Sequence, residues 1–338
     1  MYGRNNSNCG NDSSETSAAL ARFAKCIVRI TDEYVEPVPL LEQGDRLILS
    51  RGNIGMITGK PKAFKTFLTS GIASGFMEDE TLSISGPGGR CLIVDTEQSK
   101  AHVNRMQKRI YRLSGWDTAT ENGGLVMLSL REFSVEERIN IALEFMSAWR
   151  PDLVIIDGIR DMIPDFNDLV RSAELVGKLM AVSTELDCGI ICVLHQNKAD
   201  SNARGHLGAE LSNKCETVLQ VKNEKGIANV EPVYSRNREI ESFSFRVSDG
   251  LPELCSPPKV EAGIDQLTKL MRKAFFGSSW LDKNDLKTKL ARLTKLSDKS
   301  VCRRIDKALT TGIIQQNSAH YYVLTQKTEE NENEPLPF

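Results

Sequence analysis

Gly59-Lys60-Pro61-Lys62-Ala63-Phe64-Lys65-Thr66 is the stretch whose reading decides the fold. It follows the apolar run Ile54-Gly55-Met56-Ile57 and precedes Phe67-Leu68-Thr69-Ser70-Gly71-Ile72-Ala73, which reads as a helix. Strand, loop, Lys-Thr and helix in that order is the layout of a phosphate-binding loop. There the backbone N–H groups and the helix N-terminus cradle phosphate oxygens, a Lys neutralises the β and γ charge, and a hydroxyl holds Mg2+. Against the pattern G-x-x-x-x-G-K-[ST], Gly59, Lys65 and Thr66 fit, while Phe64 stands at the second glycine. One such match is weak, so the flanking sequence has to carry the rest.

On both sides of the loop, short apolar runs alternate with helical patterns. Strands are expected at 54–58, 91–95, 125–128, 153–157, 189–194, 217–221, 228–234 and 243–247, and helices at 66–77, 99–114, 135–149 and 168–187. Continuous apolar runs of four to six residues suit strands buried on both faces, as in a parallel sheet. This is an α/β pattern, with the last strands forming an antiparallel edge. Residues 27–30 and 47–49 read as further strands or a lid. Residues 1–17 are polar and read as a disordered tail, 18–255 as the α/β domain and 256–263, with Pro257-Pro258, as a linker. Residues 264–327 then give three helices and two short strands, the order of a winged helix, with Ser297 as an N-cap. Residues 265–327 hold nine Lys and four Arg against five Asp and no Glu, a net of about +8. An acidic tail, 328–338, closes the sequence and reads as disordered.

The 338 residues have room for one large domain and a small one. A hydrophobic fraction of 40% and a charged fraction of 26% fit a globular protein rather than a disordered or membrane-embedded chain. The net charge of −2 carries no global argument for nucleic acid, so the local charge of 265–327 matters instead. Eight Cys are scattered with no C-x-x-C pair, which points to neither zinc nor a disulfide framework. The polar N-terminus has no apolar signal-like region, and no apolar run approaches the ~20 residues that span a bilayer. A cytoplasmic protein is the expectation.

Several strand ends carry chemistry. Cys91-Leu92-Ile93-Val94-Asp95-Thr96-Glu97-Gln98 places Glu97 where it can orient and deprotonate a water; the same residues also suit an N-cap cluster. Leu153-Val154-Ile155-Ile156-Asp157-Gly158 has the Walker B form, in which Asp157 holds Mg2+ beside the loop hydroxyl. Asp161 and Asp165 read as solvated neighbours. In Leu194-His195-Gln196-Asn197-Lys198 the amide of Gln196 can contact a γ-phosphate, and His195 by itself reads as structural. Arg204-Gly205-His206-Leu207-Gly208 reads either as a loop touching a nucleic-acid backbone or as an ordinary surface loop. Ser235-Arg236-Asn237-Arg238-Glu239 puts two Arg on one side if the strand continues. They could reach a neighbouring subunit's phosphates as arginine fingers, or simply pair with Glu239 or Glu241.

Taken in order, these pieces resemble the RecA-like P-loop ATPase core of the hexameric replicative helicase and RepA-type plasmid helicase group, over about residues 40–250. The order and spacing carry the resemblance more than any one motif. It implies that the 59–66 loop (Gly59, Lys60, Pro61, Lys62, Ala63, Phe64, Lys65, Thr66) binds ATP. Thr66 and Asp157 would serve Mg2+, Glu97 would be the base and Gln196 the γ-phosphate sensor. Arg238 matches the trans arginine finger, with Arg236 at the accompanying basic position. Residues Lys198, Arg204 and His206 fall in the region that lines a DNA channel, and the resemblance implies a hexameric ring acting on single-stranded DNA in replication or mobilisation of a genetic element. In the basic C-terminal part, Lys299, Arg303, Arg304 and Lys307 would form a DNA-contacting helix, three of them at spacings of four; a protein-docking winged helix is the alternative. Phe64 departs from the pattern, although a helical backbone at that position is open to any residue. Two other readings remain open at this point: a nucleotide-binding DNA initiator or loader with little turnover, and a filament-forming recombination ATPase.

Overall fold

The computed structural model describes residues 23, 26–34, 36–196, 205–256, 261–294 and 296–325, and for 261–266 the backbone alone. The expected tails 1–17 and 328–338, the 198–204 segment and the centre of the 256–263 linker therefore lie outside the described residues. Two small antiparallel strands, β1 (Pro39–Gln43) and β2 (Arg46–Ser50), open the ordered core. The main sheet is nine-stranded. It contains β3 (Ile54–Gly59), β4 (Cys91–Asp95), β5 (Leu125–Ser129), β6 (Leu153–Asp157), β7 (Gly189–His195), β8 (Thr217–Glu224), β9 (Ile227–Ser235), β10 (Phe243–Ser248) and β11 (Leu251–Cys255). Its spatial order is β11-β10-β9-β8-β3-β7-β6-β4-β5.

The strands from β8 through β5 run parallel, and β8 to β11 close the other side antiparallel. Parallel pairing needs crossovers, supplied by α1 (Lys65–Met77), α2 (Lys100–Leu113), α3 (Val135–Trp149), α4 (Leu169–Leu186) and α5 (Gly205–Lys214). One apolar cluster, with Leu68, Ile72 and Phe76 of α1, covers one face of the sheet; a second, with Met146, Leu175 and Leu179, covers the other. Burial on both faces is why β3, β4, β6 and β7 read as unbroken apolar runs. The register sets Gly59 beside His195 and Asp95 beside Asp157, so all four lie at the carboxyl ends of parallel strands.

Several expectations change. Residues 27–30 are not a strand, and Val28 and Ile30 stand 79% and 104% exposed. The linker is shorter than 256–263, because β11 runs to Cys255 and helix α6 (Glu261–Phe275) has begun by 261. β11 itself was not anticipated, although Asp249-Gly250, both with positive φ, forms the two-residue turn that joins it to β10. The segment 205–208 is the first turn of α5 rather than a loop. The C-terminal residues form α6, α7 (Lys283–Thr294), α8 (Asp298–Thr310) and the hairpin β12 (Ile314–Gln316) and β13 (Tyr322–Leu324). They share their own apolar cluster, including Met271, Leu286, Leu290, Val301, Ile305 and Tyr322. Ser297 takes the N-cap backbone position of α8, but its hydroxyl meets that of Ser300 and not a backbone amide. No helix among the described residues is long and apolar enough to cross a membrane.

Glu216, at the foot of β8, is buried and ties three segments together. Its carboxylate accepts from the Ser50 amide at 2.8 Å, the Ser50 hydroxyl at 3.1 Å and Asn237 Nδ2 at 3.0 Å. Removing it strands a buried amide, the costly side of hydrogen-bond energetics. Glu216→Ala is expected to destabilise the protein by roughly 2–4 kcal/mol in urea unfolding, with Glu216→Gln costing less because one acceptor oxygen remains.

Candidate nucleotide site

The loop after β3 is held by its own Lys. Lys65 Nζ donates to the carbonyls of Gly59 at 3.0 Å and Lys60 at 3.1 Å, and lies 3.0 Å from Nδ1 of His195. An ammonium has three donors and no acceptor, so His195 Nδ1 accepts, and its proton sits on Nε2. That nitrogen faces Glu97 Oε1 at 3.6 Å. His195, read from sequence as structural, thus bridges the loop Lys and Glu97. Burial lowers the Lys65 ammonium to a pKa of about 8, against the pull of Asp157 and Glu97. Gly59 has no room for a side chain, since a Cβ there would lie 2.5 Å from the Val221 carbonyl.

Phe64 overturns the expectation of a helical backbone. Its φ of 67° and ψ of 23° are left-handed, as is Lys62 at φ 63°. The loop turns sharply into α1 there, which is why glycine suits the position. Phe64 is kept in this strained conformation by its ring, which packs on the apolar core and meets Phe67 edge-on at 5.8 Å. Lys60, Pro61 and Lys62 are exposed, and Asn223 Nδ2 donates to the Lys62 carbonyl at 3.0 Å, fastening the loop to β8.

Thr66 Oγ1 donates to Asp157 Oδ2 at 3.0 Å. Asp157 faces Asp95 across the β4–β6 pair. Its carboxyl is ringed by protein, and burial, then the Asp95 charge, push its pKa up to about 6 against the Thr66 hydrogen bond. Burial likewise raises Asp95, which accepts from the amides of Glu97 and Gln98 at 3.0 and 2.7 Å and from Gln98 Nε2. A hydroxyl beside enclosed, repelling carboxylates is a donor set that suits a divalent cation also bound by phosphate oxygens and water. Thr66 and Asp157 fit that role. Gly158, with φ 101°, lies so close to Thr96 that a Cβ would stand 2.1 Å from its hydroxyl. Thr96 Oγ1 donates to the Gly158 carbonyl at 2.9 Å, locking the two strand ends.

Glu97 sits at the cleft wall with its carboxyl held below the ordinary range. The His195 N–H that faces it is the main cause, helped by charge on Lys65 and Arg160 and opposed by burial. The cleft itself has a volume of about 490 Å3 and is lined by Phe64, Lys65, Thr66, Asp95, Glu97, Arg109, Asp157 and His195 among others. Arg109, from α2, lies 3.8 Å over the Phe67 ring and donates to Ser70 Oγ at 3.2 Å and the Gly250 carbonyl at 3.1 Å. Gln196 is buried beside the loop, its backbone N–H donating to the Gly59 carbonyl at 3.1 Å. Asp95, Arg109 and Asn223 were missed by sequence reading. Only Asp95 had a visible signal, the acidic end of an apolar strand.

The arginines behave differently from expectation. β9 ends at Ser235, opposite Thr217, so Arg236 and Arg238 follow the end of the sheet remote from Gly59. They do not project together: Arg236 donates to the Lys214 carbonyl at 3.0 Å, and Arg238 pairs with Asp45 rather than Glu239 or Glu241. His206 is exposed on α5, while Lys198 and Arg204 lie outside the described residues. On α8, Lys299, Arg303 and Lys307 are exposed and Arg304 is half-buried. Asp161 pairs with Arg160 at 2.9 Å, and Asp165 is exposed.

With this geometry in view, comparison places the chain. It belongs to the AAA domain family, which matches residues 11–201. No curated protein matches it. A KaiC-like protein from the hyperthermophilic archaeon Pyrococcus horikoshii OT3 aligns at 14% identity and a TM-score of 0.49, over 66% of this chain and 100% of the other. As an AAA domain protein with a P-loop at the carboxyl edge of a mostly parallel sheet, the chain is a RecA-like P-loop ATPase.

Two outcomes follow for this AAA domain protein. Phe64→Gly is expected to be more stable than Phe64→Ala by about 1 kcal/mol in thermal unfolding, because only Gly takes the left-handed backbone without strain. Asp157→Asn is expected to stabilise the nucleotide-free protein by on the order of 1 kcal/mol while abolishing Mg2+-dependent turnover. It removes a charge that the fold disfavours and keeps an oxygen for Thr66. By the same sign, the Asp157 contribution to wild-type stability is lost as pH rises through about 6, and the Asn variant lacks that dependence.

Proposed function

We propose that this ATPase is a DNA motor of the hexameric RepA-type helicase kind, hydrolysing ATP at subunit interfaces and acting on single-stranded DNA in replication or mobilisation of a genetic element. The observation that carries the reading is the split between the two ends of the sheet. Lys65, Thr66, Asp157 and Glu97 converge at the carboxyl ends, and Arg236 and Arg238 follow the opposite end. An arginine finger so placed can serve only a neighbour's nucleotide, which calls for a ring or filament of subunits. The net positive charge of 265–327 and the exposed Lys299, Arg303 and Lys307 stripe of α8 support DNA contact by a winged helix.

In this mechanism Lys65 leaves the Gly59 and Lys60 carbonyls for the β- and γ-phosphates. Thr66 and Asp157 would hold Mg2+, which would neutralise charge on the phosphates when bound. Glu97 takes the proton of the attacking water, Gln196 reports the γ-phosphate, and the neighbour's Arg238 stabilises the developing charge. Arg238 must first exchange Asp45 for phosphate. A second reading, a nucleotide-binding loader with little turnover, is favoured by two observations. The Phe64 ring lines the cleft, and the hold of His195 on Glu97 weakens that carboxylate as a base.

The test is ATP turnover by the full chain with and without single-stranded DNA. DNA-stimulated turnover is expected, lost in Lys65→Ala, and lost in Glu97→Gln with nucleotide binding retained. Mixing Lys65→Ala with Arg238→Ala subunits, each inactive alone, is expected to restore partial turnover, since mixed interfaces contain one intact set. Absence of turnover with Lys65-dependent nucleotide binding would favour the loader. No restoration on mixing would remove the arginine-finger assignment.

A further inference from the structure

The C-terminal body carries an aromatic surface that α8 and the ATP cleft do not use. Leu281 pairs with Tyr322 through reciprocal backbone hydrogen bonds of 3.0 and 2.9 Å, a single antiparallel bridge that fastens residue 281 to the edge of the β12–β13 hairpin. Leu281 and Tyr322 point inward and are both 5% exposed. Alternation along a strand therefore sends their preceding neighbours, Trp280 and Tyr321, to the outer face. The two rings meet there with centroids 4.4 Å apart and planes inclined by 51°. Trp280 is half exposed, and Phe276, at the end of α6, is 87% exposed.

A half-exposed Trp280 ring set against the partly exposed ring of Tyr321 by a backbone bridge calls for a partner, and the charge around the pair selects which. Lys289 Nζ donates to Ser278 Oγ at 3.1 Å, at the turn that leads into Trp280, and Lys273 and Lys283 are exposed in the flanking helix ends. The acids nearby are largely committed. Asp282 accepts from the amides of Asn284 and Asp285, each at 2.8 Å, and Asp298 pairs with Lys287 at 3.3 Å. Residues 265–327 contain no Glu. An acidic or apolar protein surface would match either the cations or the rings. Unpaired nucleotides match both, with π-faces for the rings and phosphates for the lysines.

We propose that Trp280 and Tyr321 form a stacking platform for the unpaired bases of a single-stranded nucleic acid, flanked by Lys289 and Lys283. This goes beyond the ATPase reading and adds a contact separate from the α8 stripe. Stacking is sequence-tolerant because every base offers a π-face, and the contribution per base is large enough to measure. Phosphate contacts from α8 would hold duplex and single strand alike. The aromatic pair would hold only bases that are out of the helix stack.

The test is a fluorescence and affinity titration of the full chain with a dT oligomer and with a duplex of equal length. Binding is expected to quench tryptophan emission. The chain has three Trp, so Trp280→Phe is used to assign the signal, losing most of the quench while keeping near wild-type affinity. Trp280→Ala with Tyr321→Ala is expected to weaken dT binding by roughly tenfold or more, with duplex binding within about twofold and DNA-free ATP turnover unchanged. Parallel titrations with a U oligomer show which sugar the site takes, and quenching by either strand supports the platform. Unchanged dT affinity in the double Ala variant, equal loss on duplex and single strand, or loss of self-association instead of DNA binding would each overturn it. Tyr321→Phe, which keeps the ring, is expected to bind as wild type, so that misfolding of the Ala variant cannot stand in for the result. None of the binding readouts uses ATP turnover, so this proposal and the motor reading can fail separately.

Discussion

The buried ammonium of Lys65 is the interaction on which the rest of the site depends. An unpaired charge at that depth would be expensive, and the chain answers with three acceptors at 3.0–3.1 Å. Two are carbonyls of its own loop, so the loop is closed before any phosphate arrives. The third is His195, which only the parallel pairing of β3 with β7 brings alongside Gly59. Moving the register of that pair by one residue would turn His195 away and leave the ammonium unanswered. Phosphate oxygens replace these acceptors more strongly than they replace water, since their charge is opposite and the surroundings are poorly solvated.

A second constraint lies beneath the first. Asp95 and Asp157 end adjacent strands; Asp157 is raised by burial and then by the Asp95 charge, and Asp95 is raised by burial and by the charge of Glu97. The Thr66 hydroxyl and the backbone amides at Glu97 and Gln98 offset part of that cost. Such an arrangement is stable enough to fold and still short of positive charge, the condition under which a divalent cation with its phosphate ligands binds well. Stability and function oppose each other here, as they commonly do where charges are held ready for a ligand. Strain at Phe64 is of the same kind. The left-handed backbone is tolerated because the ring is anchored in the core.

At the far end of the sheet the same strands make a different provision. Glu216 gathers Ser50 and Asn237, and so fixes the segment that bears Arg236 and Arg238 relative to β2 and β8. Asp45, on the β1–β2 turn, holds Arg238 by a solvent-exposed ion pair. Exposed pairs of this type contribute little to stability, so the exchange of Asp45 for a stronger anion carries a small cost. A rigid base under a loosely tethered guanidinium suits a residue that changes partners.

How far the sequence could be read depends on the range of the interactions involved. Apolar runs such as 91–95 and 153–157 announce buried strands by themselves, and the acidic residue that ends each one announces a strand edge. The positions of the loop Lys-Thr pair, Glu97 and Asp157 at strand ends were legible for this reason, as were the positive charge of 265–327 and every α-helix except α5, whose first turn read as a loop. Strand order is a different matter, because which ends meet is set by crossovers and pairing rather than by any local run. His195 therefore looked like a core histidine until β7 was placed beside β3, and Arg109 carried no signal until α2 was packed against α1. Backbone sign is equally hidden: nothing local says that Phe64 turns left-handed, because the turn is imposed by the approach of β3 to α1. The end of β9 at Ser235, which leaves Arg236 and Arg238 beyond the strand and outside its alternation, is likewise decided by the partner strand. Sequence by itself determined the chemistry available and the class of sheet that carries it. Tertiary structure decided which of those groups face one another, since pairing across the sheet joins residues more than 100 positions apart and no local pattern encodes that distance.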